Sequence, residues 1–140
     1  GIVHGDYSLT NVMIGKNDPN VIAILDWELS TLGDPCADFN YHCLQYTMNP
    51  KLADKEYCKA QGIPVIDDYV KMYSEKINID LTEEWDLYSA YNLFKLAGIL
   101  QGILGRVRDG TAAHENAAER ANGVKNLSDT AWALVEKNFI

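Results

Sequence analysis

His4-Gly5-Asp6-Tyr7-Ser8-Leu9-Thr10-Asn11 decides how this chain reads. His4 opens the run, and an Asp stands five positions before an Asn. Fifteen residues past Asn11 comes Asp26-Trp27-Glu28, at the end of an apolar stretch. Between them, Val12-Met13-Ile14 and Val21-Ile22-Ala23-Ile24-Leu25 are apolar and mostly β-branched, and Gly15-Lys16-Asn17-Asp18-Pro19-Asn20 is a cluster of turn formers. The pattern predicts a β-hairpin. Paired strands lie about 5 Å apart. The first strand starts at the open end where the second finishes, and Asn11 and Asp26 occupy those two places. They can therefore share one cation, with Asp6 on the preceding loop.

These residue types suit one chemistry. Phosphoryl transfer to an alcohol uses a carboxylate to accept the hydroxyl proton. It also uses an amide oxygen and a second carboxylate to hold the Mg²⁺ that bridges the nucleotide phosphates. Asp6 fits the first role, as the catalytic residue; Asn11 and Asp26 fit the second, as metal and nucleotide ligands. The plain alternative for the same residues is a surface hairpin flanked by ordinary polar caps.

The spacing of His4, Asp6 and Asn11 is that of a kinase catalytic loop. Together with Leu25-Asp26-Trp27-Glu28 and Gly33-Asp34-Pro35-Cys36-Ala37-Asp38, it resembles the aminoglycoside phosphotransferase and choline kinase group of protein-kinase-like enzymes. Gly5 stands where protein kinases carry Arg, which favours the small-molecule branch. Residues 26–33 and 96–102 are similar to the kinase-like domain associated with acyl-CoA dehydrogenase-like proteins. The resemblance extends to about Gly110. It implies an α+β, mainly α, fold: the C-terminal lobe of a protein-kinase-like fold, a catalytic-loop hairpin followed by a helical subdomain.

The resemblance also implies a reaction. ATP or GTP, with Mg²⁺, would donate its γ-phosphate to a small-molecule hydroxyl acceptor. A hydroxyacyl-CoA-type metabolite is the acceptor suggested by the acyl-CoA dehydrogenase association, and an aminoglycoside is the alternative. A pseudokinase that binds nucleotide without turnover is the rival from another class. In such enzymes a Gly-rich loop and a Lys of a first lobe hold the phosphates. Neither precedes His4 here. The chain thus reads as the second lobe alone, 1–47 carrying the catalytic segment and 48–140 a helical subdomain. The missing N-terminal lobe is the expected partner, and this fragment alone is expected to be inactive.

Supporting roles follow from the same resemblance. His4 would brace the loop rather than act as base. Trp27, where protein kinases have Phe, would wedge into the core. Asp38 would tie its helix to the catalytic loop, or else be a solvated first-turn acid favoured by the helix dipole. Asp34 before Pro35 is a helix start by its own chemistry, Asp as N-cap and Pro at the first helical position.

Composition bounds the rest. At 140 residues and 47% hydrophobic, the chain is one domain by size, with material for a core. Net charge is −8, which argues against a nucleic-acid partner. Residues 1–47 hold six acids and one base, Lys16, so the segment with the candidate site is the acidic one. Cys36, Cys43 and Cys58 form no C-x-x-C pair and have no His cluster beside them, so buried free thiols in a reducing compartment are expected rather than zinc. There is no signal peptide and no apolar run long enough for a membrane span, which favours a cytoplasmic location.

Along the chain, Leu9 is expected to point inward and residues 30–33 to form a loop. The first helix should run from Pro35 to about Tyr46, with Ala37, Tyr41, Leu44, Cys36 and Cys43 inside. A helix is expected over 55–60. Pro64 should open another over 65–76, with Val65, Tyr69, Met72 and Tyr73 as core. Asp80 with Glu83 fits a capping box for a long helix over 82–108. Its stripe would be Trp85, Tyr88, Tyr91 or Asn92, Lys95 or Leu96, Ile99, Ile103 and Val107. Ala97, Gly98, Gly102 and Gly105 suggest tight helix packing, or else close approach of another backbone or of substrate. Tyr88, Asn92, Lys95 and Gln101 are candidate acceptor contacts, and Arg106 and Arg108 candidate anion contacts. Residues 112–126 should be helical. Ser128 should cap a last helix that buries Ala131, Trp132, Leu134, Val135 and Phe139.

Overall fold

Local chemistry sets most of the elements. The computed structural model describes residues 1–111 and 123–140. Strands β2 (Val12–Ile14) and β3 (Val21–Ile24) pair antiparallel, Val12 opposite Ile24 and Met13 opposite Ala23. The hairpin closes through Gly15 N–H donating to the Asn20 carbonyl at 3.0 Å. A second two-stranded sheet pairs β1 (Ile2–Val3) with β4 (Thr31–Leu32), so residues 30–33 are not simply loop. Gly1 and Gly33 exchange hydrogen bonds that extend it, 2.7 Å from the terminal amine and 3.0 Å from the Gly33 N–H. This pairing brackets the catalytic-loop stretch and the hairpin between its two strands.

Helix α1 spans Pro35–Met48. The Asp34 carboxylate accepts the Cys36 N–H at 2.9 Å, the N-cap that the Asp-Pro pair predicts. Its buried face is Cys36, Phe39, Asn40, Cys43 and Leu44; Cys36, Cys43 and Leu44 lie inside as expected, while Ala37 and Tyr41 are only half-buried. All three cysteines are free and buried. Burial pushes the Cys43 thiol up to about 12; burial and then the Asp34 carboxylate push Cys36 up to about 11.

Two short helices follow, α2 (Pro50–Ala53), which the sequence reading missed, and α3 (Lys55–Ala60), capped by Asp54. Helix α4 runs Ile66–Ile77. It buries Val70 and turns Tyr69 and Tyr73 onto Phe39 of α1, the Phe39 and Tyr73 rings stacked with centroids 3.8 Å apart. Met72 is 57% exposed, so it is not core; the inner face steps through 66, 69, 70 and 73. The Tyr46 hydroxyl donates to the Pro64 carbonyl at 2.8 Å and fixes the start of α4. Asp80 accepts from the Thr82 amide and hydroxyl at 2.9 and 2.7 Å, forming a turn rather than a capping box.

Helix α5 is Trp85–Arg108 and α6 is Val124–Phe139. The chain divides into two compact units, Gly1–Trp85 and Asp86–Ile140. In the second, α5 buries Ala90, Asn92, Leu93 and Ala97, while Tyr91 and Ile99 are exposed at 58% and 42%. The α5 glycines serve no close approach among the described residues: a Cβ at Gly98 or Gly105 would meet nothing within 4 Å. Ser128 lies inside α6, its hydroxyl donating to the Val124 carbonyl at 2.9 Å, so it is not the cap. Ala131 and Leu127 are buried, whereas Trp132 is 56% exposed. The expected helix over 112–126 falls outside the described residues through 122, as does the side chain of Phe139. No described helix is long and apolar enough to cross a membrane.

Candidate active site

The loop from His4 to Asn11 is built by its backbone. Gly5 has φ +86°, and a Cβ there would lie 2.5 Å from the Leu29 carbonyl oxygen. Only glycine meets both demands, left-handed backbone and close approach. Leu9–Asn11 forms one 3₁₀ turn that delivers Asn11 to the start of β2. Leu9 is 69% exposed, contrary to the inward orientation expected, because that turn carries it to the outside.

Asp6 and Asn11 are in contact. The Asn11 carboxamide nitrogen donates to the Asp6 main-chain carbonyl at 2.9 Å and to its Oδ2 at 3.3 Å. Both partners are acceptors, so the nitrogen must face them and Oδ1 faces away. The Leu25 N–H donates to the Asn11 carbonyl at 2.8 Å, which extends the β2–β3 ladder by one pair and sets Asp26 immediately beyond it. Asp26 adopts φ 66°, ψ 55°, a left-handed kink that ends β3 and starts the 3₁₀ turn Trp27–Leu29. Asp tolerates this conformation better than most residues. No hydrogen bond or ion pair reaches Asn11 Oδ1 or the Asp26 carboxylate among the described residues.

His4 is 3% exposed, and both ring nitrogens are used. Nε2 donates to the Leu25 carbonyl at 2.8 Å, which leaves Nδ1 as the acceptor of the Asp6 N–H at 3.2 Å. The neutral ring thus staples the loop to β3 and has no lone pair left for a substrate. Asp38 of α1 accepts the Gly5 N–H at 3.0 Å and also the His4 N–H. Trp27 is 46% exposed, so it does not wedge into the core; its Nε1 donates to the Ile24 carbonyl at 2.8 Å and its ring lies 4.7 Å from that of His4. Asp34 serves one turn away, as the α1 cap.

Two neighbours on α1 escaped the sequence reading. The Tyr41 phenol is pushed up to about 12, by burial first and then by the Asp6 carboxylate. His42 packs on Tyr7 with ring centroids 5.5 Å apart, and its Nε2 lies 3.2 Å from the Tyr69 hydroxyl. Burial lowers its pKa below the usual 6.5. The available signal was spacing: 38, 41 and 42 share one helix face. Of the candidate acceptor contacts, Tyr88, Asn92, Lys95 and Gln101 all lie in the second unit; Asn92 is buried and Gln101 exposed. Arg108 pairs with the adjacent Asp109 at 3.1 Å. Among the described residues no group of three or more His, Cys, Asp and Glu is arranged to hold a metal.

Known proteins extend these observations. The chain is similar to acyl-CoA dehydrogenase family member 10 of Mus musculus, at 35% identity over 97% of this chain and 13% of that protein. It is 32% identical to acyl-CoA dehydrogenase family member 11 of Homo sapiens, over 99% of this chain and 18% of that protein. It therefore spans less than a fifth of these relatives. Among solved structures, a Ralstonia eutropha JMP134 protein with a provisional aminoglycoside phosphotransferase assignment superposes with a TM-score of 0.87 at 40% identity, covering 97% of this chain and 42% of that one. Residues 1–91, which hold the loop, the hairpin, α1 and α4, match the phosphotransferase enzyme family, and the chain belongs to that kinase-like family.

Proposed function

We propose that this chain carries the catalytic half of a phosphotransferase that moves the γ-phosphate of ATP or GTP to an alcohol on a small molecule. The observation that carries the reading is the pairing of Asp6 with Asn11. Asn11 commits its amide nitrogen to Asp6 and keeps its oxygen for something else. A carboxylate oriented this way can accept the proton of an attacking hydroxyl while its other lone pairs are held.

The remaining donors fit a hard divalent cation. Asn11 Oδ1 and the Asp26 carboxylate are oxygen ligands on adjacent ladder positions, free of protein partners among the described residues. Mg²⁺ takes few protein oxygens and completes its shell with water and phosphate, so a two-residue set is compatible with it. When bound, the cation would neutralise phosphate charge as it develops. Asp6, positioned by Asn11, His4 and Asp38, would supply the base, and most of the acceleration would come from orientation.

The acceptor we favour is a hydroxyacyl-CoA or a related thioester. Support comes from the resemblance to acyl-CoA dehydrogenase family members 10 and 11 over nearly the whole chain. An aminoglycoside acceptor is the second reading, favoured by the name given to the Ralstonia protein. A nucleotide-turnover screen of the complete gene product with Mg²⁺ tests both. Turnover stimulated by hydroxyacyl thioesters and abolished in Asp6→Asn is the expected result. Phosphorylation of aminoglycosides but of no hydroxyacyl thioester would overturn the acceptor. Tight Mg²⁺-dependent nucleotide binding with no transfer to any alcohol would point instead to a binding module.

A further inference from the structure

Helix α1 grips the loop one residue at a time. Asp38 accepts the main-chain N–H groups of His4 and Gly5. One turn on, His42 packs on the ring of Tyr7, centroids 5.5 Å apart. His4, Gly5 and Tyr7 are thus held from one helix face, and His42 is itself buttressed by Tyr69 of α4 at 3.2 Å. Tyr69 is fixed in turn by Phe39, whose ring centroid lies 5.2 Å away.

We propose that His42 is a positioning residue for phosphoryl transfer: braced by Tyr69, it holds Tyr7 and with it the backbone beside Asp6. This rests on the reading of Asp6 as the group that accepts the hydroxyl proton.

Asn11 reaches Asp6 Oδ2 at 3.3 Å, a long bond, so the placement of the Asp6 backbone decides where the carboxylate points. His42 is suited to holding that backbone because a neutral imidazole can bond the Tyr69 hydroxyl in either tautomer, and burial disfavours its charged form. Tyr7 is adjacent to Asp6, so a tilt of its ring moves the Asp6 backbone. Misplacement of a catalytic group by about 1 Å costs on the order of 100-fold in rate.

The test uses the complete gene product and Mg²⁺-dependent ATP hydrolysis, with water standing in for the alcohol. His42→Phe keeps a ring against Tyr7 and deletes the bond to Tyr69; Tyr69→Phe deletes the brace without touching the loop. Expected are a fall in kcat of roughly 10- to 100-fold for the first and a smaller fall for the second, with KM for ATP and the melting temperature little changed. In an Asp6→Asn background His42→Phe should add nothing, because residues that act as a unit are non-additive. Hydrogen exchange of the amides of residues 4–8, read without nucleotide, should quicken several-fold in both variants. Unchanged kcat and unchanged exchange would overturn the proposal, as would an equal loss with and without Asp6. Quickened exchange in a protein that never turns over ATP would leave the loop support standing and sink the phosphotransferase reading instead.

Discussion

The Asp38 carboxylate accepts the Gly5 N–H at 3.0 Å, and its second oxygen takes the N–H of the preceding His4. One side chain from α1 thereby satisfies two amides of a tight loop that has no ladder of its own. Replacing Asp38 with Ala would remove both of these bonds. The expected loss is about 2–3 kcal/mol of stability, read by urea unfolding. The Asn variant, which keeps one acceptor oxygen, should lose about half as much.

Gly5 and Gly98 should respond in opposite directions to alanine. At Gly5 the added Cβ meets the Leu29 carbonyl at 2.5 Å with φ at +86°, so Gly5→Ala should cost about 2–3 kcal/mol. At Gly98, inside α5, nothing described lies within 4 Å of the added carbon. Gly98→Ala should therefore stabilise the protein by about 0.5–1 kcal/mol through helix propensity. Paired thermal melts check both; a destabilising Gly98→Ala would mean that α5 makes a close approach after all.

Asn11→Asp and Asp26→Asn exchange one amide and one carboxylate, with distinct expectations. Asn11→Asp retains an oxygen for a cation but turns the donor facing Asp6 into a like charge. It should lower kcat by about 100-fold or more while Mg²⁺–nucleotide binding survives. Asp26→Asn leaves the Asp6–Asn11 contact intact and removes charge from the cation site. It should weaken Mg²⁺-dependent nucleotide binding measured by calorimetry. Equal loss of binding in both variants would contradict these separate roles.

The stability of the chain should fall on the alkaline side from about pH 9. Cys36 and Cys43 have an ordinary pKa of 9.0 and are raised to about 11 and 12 by burial, first among the causes. Tyr41 and Tyr69 are raised from 10.0 to about 12, again chiefly by burial. A raised folded pKa means that the unfolded chain loses its proton first, so stability is full below pH 9 and drains as pH climbs toward 12. His42 has the opposite sign: its pKa is lowered by burial, so its contribution drains as pH drops below 6.5. Urea midpoints across pH 5–11 check the two limbs, and Cys43→Ala should flatten the alkaline one.

Several elements were legible because a few adjacent residues specify them. The hairpin followed from alternating β-branched runs around a Gly-Lys-Asn-Asp-Pro-Asn turn, and β2 and β3 form there. Asp34-Pro35 announced α1, and the Asp34 side chain caps it. The 55–60 helix and the end of α5 at Arg108 were equally local. Helix rotation was not. Met72 and Tyr91 continue apolar stripes yet stand exposed, because periodicity reports which side is apolar and says nothing of whether a partner covers it. The Ile2–Val3 pairing with Thr31–Leu32 had no signal, since two-residue strands carry no period.

Residue types and their offsets alone determined that three oxygen-bearing side chains, Asp6, Asn11 and Asp26, belong to one short segment bent by a hairpin, because turn and strand chemistry act over a few bonds. Only the tertiary structure decided that the Asn11 nitrogen faces Asp6, that His4 spends both nitrogens on the backbone, and that Asp38 and His42 reach the loop from α1. Those facts depend on how a helix more than thirty residues away rotates and packs, which is settled by fitting side chains into a shared core and not by any local preference.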